Sequence, residues 1–325
     1  MFSSYDLTSF SKKLKAIRKS LGYSQTEVYE KTGINSDTLR RLENGLSIPR
    51  FDTLEVLSQF YKENLIILLD SYKISSTLSY FYDLIDYYMV HEDFAALEKT
   101  IIEFEEHIRT NPPQIIDKRE ITQLNLFFRG LQLSYSNDPN DKKKAIETLE
   151  DALVISNPGF QLKTWSNYKY NFLELRILFA IASIEGAKRN CVLSNEITIY
   201  ILGYLDPSPR SKFYEKLLIV KSYCIIAYNY HRLEENIMVI EHANKGIQFC
   251  IDNSIMAYMH LLLFRKGTAM YHINLKGFET FIIQSVQLLR IQDKHNVADQ
   301  YETYLKNYLL TQAKKISGQS NSHSN

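Results

Sequence analysis

A chain of 325 residues with 45% hydrophobic content can bury a full core and is not globally disordered. A net charge of +1 singles out no class of partner, and Cys191, Cys224 and Cys250 form no CxxC pair, which fits a reducing compartment without a disulfide framework. The eight histidines are scattered without metal-ligand spacing, so neither a metal nor another cofactor is expected.

Helical periodicity dominates, and strand-like alternation is almost absent. Leu14, Ile17 and Leu21 make one helical face ending at Gly22. Ser24-Gln25-Thr26-Glu27 has the form of a capping box, with Ser at the N-cap and Glu three residues on, and opens a short helix to Thr32. Gly33-Ile34 makes a tight turn in which Gly takes a left-handed conformation. Asn35 or Ser36 caps the next helix, which runs to Asn44-Gly45. Phe51–Tyr61 is a fourth helix with Leu54, Leu57 and Phe60 inward, and Glu63–Asp70 a fifth. Between Ser11 and Arg50 nine Lys/Arg face four acids, a modest basic patch that dimerisation would double.

Beyond residue 70 the chain reads as helical pieces. All seven prolines fall between periodic segments, as an all-α chain requires. Breaks lie at Asn111-Pro112-Pro113, Asp138-Pro139-Asn140, Asn157-Pro158-Gly159 and Asp206-Pro207-Ser208-Pro209. Tyr87, Tyr230 and Tyr271 each precede an apolar residue, Phe94, Ile237 and Phe278, by seven positions. The apolar sets Phe94/Leu97/Phe104, Ile237/Ile240/Ile247 and Phe278/Phe281/Leu288 then align, the last two units being 41 residues apart. Each unit reads as a helix ending in Tyr, a turn and a second helix, a period that suits stacked hairpins. Less regular units fit near Lys118–Ser156 and Thr164–Leu205, His295–Ile316 reads as a closing helix, and Ser317–Asn325 as a disordered tail.

The N-terminus lacks the apolar core of a signal peptide, and Leu65–Leu69 is far too short to span a bilayer, so a cytoplasmic protein without membrane contact is expected. No P-loop, GxGxxG, HExxH or GxSxG is present, and acidic pairs such as Glu105-Glu106 and Glu234-Glu235 read as solvated helix faces, so no enzyme is expected.

Leu21-Gly22-Tyr23-Ser24-Gln25, Gly33-Ile34-Asn35, Leu42-Glu43-Asn44-Gly45 and Pro49 resemble the phage-repressor-type (XRE) helix-turn-helix family over about the first 65 residues. The resemblance implies that Ser36, Asp37 and Arg41 face bases, that Gln25, Thr38 and Asn44 hold phosphates, and that Arg18 and Glu43 form a structural salt bridge. Arg41 can pair bidentately with guanine, Arg40 reaches a base or a phosphate, and Arg50 touches backbone or minor groove. Asp37 either faces cytosine or helps to cap its helix.

A small helix-turn-helix domain (1–70) followed by helical hairpins (71–316) resembles the peptide-pheromone regulators of Gram-positive bacteria, the PlcR/Rgg/PrgX type. That resemblance implies an all-α fold: a five-helix DNA-binding domain, then a right-handed superhelical array of tetratricopeptide-like hairpins with a C-terminal capping helix. It also implies a homodimer on double-stranded palindromic operator DNA, and a short signalling peptide in the concave groove, as in quorum sensing. A peptide backbone needs partners that both donate and accept, which favours Asn. Asn167 and Asn171, four apart, would share a helix face with Glu174, and Asn125, Arg129 and Asn229 join them as groove candidates. Tyr168 and Tyr223 would pack on peptide side chains. Repeats that bind a protein partner, or serve as an interaction scaffold, remain open alternatives.

Overall fold

The computed structural model describes residues 7–72, 80–81, 84–85, 87–88, 93–110, 118–136, 138–205, 207–208, 211 and 213–321. Helices and no strands occur among them. The chain divides into two compact units, Met1–Ile121 and Thr122–Asn325.

The first unit opens with α1 (Leu7–Ser20), α2 (Gln25–Thr32), α3 (Ser36–Glu43), α4 (Phe51–Tyr61) and α5 (Leu65–Ser71). Phe10, Leu14, Val28, Leu39, Leu57 and Leu65 are its fully buried centre, to which every one of the five helices contributes. Two inward assignments need correction. Leu21 is 44% exposed because α1 ends at Ser20, ahead of it. Tyr61, not Phe60, enters the core beside Leu54 and Leu57, while Phe60 lies half-buried against Tyr23, ring centroids 4.8 Å apart. Later in this unit comes α6 (Phe94–Thr110), with Leu97 and Phe104 buried. The segments 89–92 and 111–117, which hold the turn before Phe94 and the Asn111-Pro112-Pro113 break, lie outside the described residues, as do Asp206 and Pro209.

α7 (Lys118–Ser134) leads into the second unit, followed by α8 (Pro139–Val154), a 3-10 helix (Leu162–Asn167), α9 (Phe172–Ala187), α10 (Cys191–Tyr204), α11 (Phe213–Arg232), α12 (Asn236–Asp252), α13 (Met259–His272), α14 (Phe278–Ile291) and α15 (His295–Asn321). From α8 on, each α-helix packs on the next; in addition α9 meets α11 and α11 meets α13. The first helices α9 and α11 therefore each touch their own partner and the first helix of the next hairpin, the pattern of a helical-repeat stack. α15 runs to Asn321, past the expected limit at Ile316, so residues 317–321 continue the helix.

The repeat is clearest in its turns. Arg189, Glu234, Ser254, Asn274 and Asp293 all have φ between 55° and 72°. Around each, an N–H closes back onto a carbonyl five residues earlier, as in Glu235 N to Tyr230 O (3.0 Å) and Leu275 N to Met270 O (2.8 Å). This is a Schellman-type closure, which satisfies carbonyls left over at a helix end. The apolar register differs from the sequence reading. Ile237 is 73% exposed, and the inward face of α12 is Val239, Ala243, Gly246 and Cys250. Phe278, Ile282, Ser285 and Leu289 repeat that face on α14, 39 residues on. Helices approach closely at glycines: a Cβ on Gly267 would lie 2.6 Å from Ile282 Cγ1 and 2.9 Å from the Phe278 carbonyl.

Gly267→Ala should cost about 1–3 kcal/mol by forcing α13 from α14, read by urea unfolding; an unchanged midpoint would contradict that packing. Glu234→Gly should stabilise by up to about 1 kcal/mol, because glycine adopts the left-handed turn without a Cβ penalty; a lowered midpoint would contradict the strain.

Candidate nucleic-acid interface

The α2–α3 pair is set by local chemistry. Ser24 Oγ accepts from Glu27 N (3.1 Å) while Glu27 Oε2 accepts from Ser24 N (2.7 Å), a complete capping box. The bond from the Ser24 backbone N–H, and after it the Ser24 hydroxyl, hold the Glu27 carboxyl below the usual carboxylate range. Gly33 has φ 74° and turns the chain. Asn35 caps α3, its side chain accepting from Asp37 N at 2.8 Å. Leu39 and Leu42 are buried, which turns Asp37, Thr38, Arg40, Arg41 and Asn44 out to solvent, with Ser36 half-buried. Arg50, the N-cap of α4, is exposed and lies 3.4 Å from Asp52.

In the free protein Asp37 does not cap its helix. The cap is Asn35, and the Asp37 carboxylate accepts from Arg40 Nη2 at 2.6 Å. That bond holds the Asp37 carboxyl below its ordinary range. Both partners are more than half exposed, so the pair adds little stability. What it does is cancel the charge of Arg40, leaving the exposed Arg41 as the arginine of α3 without an ion pair among the described residues.

Beneath this surface Arg18 and Glu43 form a bidentate ion pair, Nε to Oε1 at 2.5 Å and Nη2 to Oε2 at 2.8 Å, with Glu43 only 4% exposed. Arg18 Nη1 also donates to the Tyr23 carbonyl (2.6 Å). The hydrogen bonds to Glu43 raise the pKa of Arg18 against the opposing effect of burial. Gln25, expected on phosphate, donates from Nε2 to Glu43 Oε2 (2.8 Å). One carboxylate thus ties together α1, α2 and α3. The Tyr61 hydroxyl lies beside this pair, and burial pushes it up to about 12.

Four of the eight groove candidates, Tyr168, Asn171, Glu174 and Asn229, hydrogen-bond within the chain. Asn167 ends the 3-10 helix, and Asn171, in extended backbone, is the N-cap of α9, so the two share no helix face. Asn171 and Glu174 close a capping box on each other (2.7 and 3.0 Å), and the buried Glu174 also accepts from Asn157 (3.4 Å). Tyr168 donates its hydroxyl to the Gly159 carbonyl (3.0 Å). Tyr223 packs towards Gly246 of α12. Asn229 is fully buried, its amide donating to Ser194 Oγ and Asn195 Oδ1, both at 2.8 Å, so it links α11 to α10 instead of facing a ligand. Asn125 is half-buried on α7 with its Oδ1 unpartnered among the described residues, and Arg129 is exposed.

Residues 14–68 match the family model described as Helix-turn-helix. They form a helix-turn-helix domain of the XRE type. No curated protein matches the chain significantly. Among solved structures the chain is similar to PlcR of Bacillus thuringiensis, in complex with the peptide PapR7 and DNA: 14% identity, TM-score 0.68, covering 90% of this chain and 99% of that one. It is also similar to ComR of S. thermophilus, in complex with DNA and its signalling peptide ComS (12%, TM-score 0.59, 92% and 99% covered). A third is the SHP pheromone receptor Rgg2 of Streptococcus dysgalactiae (12%, TM-score 0.53, 92% and 99% covered). At such identities the likeness carries the fold: an all-α chain with an N-terminal helix-turn-helix and helical repeats.

Glu43→Ala should destabilise the helix-turn-helix domain by about 3–5 kcal/mol, because Arg18 is left buried and unpaired. The double variant Arg18→Met/Glu43→Leu should lose far less. Equal losses in thermal unfolding would show that the pair does not organise the domain.

Proposed function

We propose that this protein is a sequence-specific DNA-binding transcription regulator, controlled by a short signalling peptide bound by its helical repeats. It acts in the cytoplasm as a homodimer on palindromic operator DNA, with residues 71–316 as the sensor and dimerisation region. The observation that carries the DNA half is α3, whose buried Leu39 and Leu42 set Arg41 and Asn44 outward. A short helix so presented suits the major groove. In this reading Ser36, Asp37, Arg40 and Arg41 face bases, and Gln25, Thr38, Asn44 and Arg50 hold the backbone. Arg40 must exchange Asp37 for DNA, whereas Arg41 enters unencumbered. The peptide half is supported by a fold shared over nine-tenths of the chain with PlcR in complex with a peptide and DNA. Among the described residues no helix is long and apolar enough to cross a membrane. Of the groove candidates, Asn125 and Arg129 stay with this proposal.

Arg41→Ala should weaken specific binding by about 1–3 kcal/mol and relax the sequence preference, while Arg50→Ala should weaken all sequences alike and reduce the salt slope by about one. Mobility shifts on operator and random DNA separate the two. Shifts or dimer geometry indifferent to every short peptide encoded beside the gene would remove the sensor half.

A further inference from the structure

The first helices α11 and α13 carry an unusual charge pattern. From Lys216 to Arg232, α11 has no acid, and α13 has none along its whole length, although it bears Arg265 and Lys266. Arg265 sits largely enclosed between these helices and α15, within electrostatic range of Tyr228, Tyr301, Tyr308 and the Cys224 thiol. Its guanidinium stacks 4.9 Å from the centre of the Tyr228 ring. No carboxylate lies within ion-pair distance of it among the described residues; the two acids of α15 nearest to Tyr301, Asp299 and Glu302, are both held by Arg290 at 2.7 and 3.1 Å. Burial accordingly pushes the Arg265 pKa below its ordinary value.

This chain satisfies its other arginines in comparable positions. Arg18 has Glu43 in bidentate contact. Arg232, stacked on the same Tyr228 ring, donates to the Gly186 and Ala187 carbonyls at 3.1 and 3.3 Å and to the Tyr228 hydroxyl at 3.0 Å. Among the described residues Arg265 has no such acceptor, yet it remains partly open to solvent and so can be reached. An arginine stays charged, and an enclosed charge without a counter-ion is costly unless a partner arrives. The neighbouring His231 offers no anion. Its Nδ1 is buried without a hydrogen-bond partner among the described residues, and burial and the charge of Arg265 hold the ring neutral, its pKa lowered to about 4.

We propose that Arg265 is the receiving group for a carboxylate of the bound peptide, the anion entering beside Tyr228 between α11, α13 and α15. This rests on the reading that the repeats bind a peptide. The fork of guanidinium donors matches a carboxylate in two parallel hydrogen bonds, and the tyrosines supply the apolar wall that excludes water from them. Either the C-terminal carboxylate or an Asp or Glu side chain supplies the same chemistry.

Two measurements on the full-length protein test the assignment. The first is thermal unfolding without peptide: Arg265→Met should leave the midpoint unchanged or raise it, since an uncompensated charge is removed. A clear fall would show Arg265 to be structural and overturn the proposal. The second uses binders selected on the wild-type protein from a randomised heptapeptide library. Each is compared as the free acid, as the C-terminal amide, and with Asp or Glu replaced by its amide. Neutralising the critical carboxylate should raise Kd about ten-fold or more, Arg265→Met should do the same for the charged peptide, and the two changes together should cost no more than either alone. Arg265→Lys should recover part of the loss. The C-terminal and side-chain arms identify which carboxylate is bound. Equal affinity for charged and neutralised peptides would overturn the role of Arg265 while leaving peptide binding intact. A library without any wild-type binder would overturn both.

Discussion

A helical hairpin exposes more apolar surface than it can cover by itself, and the second unit is organised by that excess. α9 makes the point: Leu175, Ile177, Leu178, Ala180, Ile181, Ala182 and Ile184 are all buried, which leaves this helix no polar side. It is covered by α8 before it, α10 beside it and α11 beyond it. Only a chain that keeps adding hairpins can satisfy such a helix, and only a terminal helix such as α15, with an exposed outer face, can stop the series. The turns serve the same end. Five residues accept a left-handed backbone so that each helix reverses tightly enough to meet the next.

That constraint also decides what could be read from the sequence. The helix-turn-helix was legible because its signals are local: a capping box spans four residues, and Gly33 turns the chain by its own conformational freedom. In the repeats, α12 and α14 each bury one face and so announce a period, but a helix buried all round loses its amphipathic signature. This is why 164–205 read as irregular. The register was mistaken for a related reason. Ile237 and Phe278 look equivalent in a list of apolar residues, yet one stands at an exposed helix start and the other lies under Phe264 and Tyr271.

Polar residues were legible only where their partners were near in sequence. Asn171 and Glu174 carry the same cap-and-return pattern as Ser24 and Glu27, so their structural role was available from spacing alone. Asn229 was not readable, because the Ser194 and Asn195 that receive its amide lie 35 and 34 residues away. Glu43 was half readable. Its pairing with Arg18 follows from family likeness, but its capture of Gln25 depends on how α2 docks against α3. A glutamine spent on that contact is already ordered in the free protein.

Arg18 and Arg265 show two uses of the same side chain. The first is enclosed with its counter-ion and holds α1 to α3 and to the turn before α2. The second is enclosed among tyrosines, without one among the described residues, between helices of successive repeats and the closing helix. A ligand that supplies the missing charge binds the folded unit and not the unfolded chain, so its binding energy is added to the stability of that unit. The added stability falls at the joint of α11, α13 and α15, and packed helices respond to such a gain by choosing between discrete arrangements more readily than by bending continuously. An unsatisfied charge at a joint between repeats is therefore a place where a small ligand can act on many helix contacts at once.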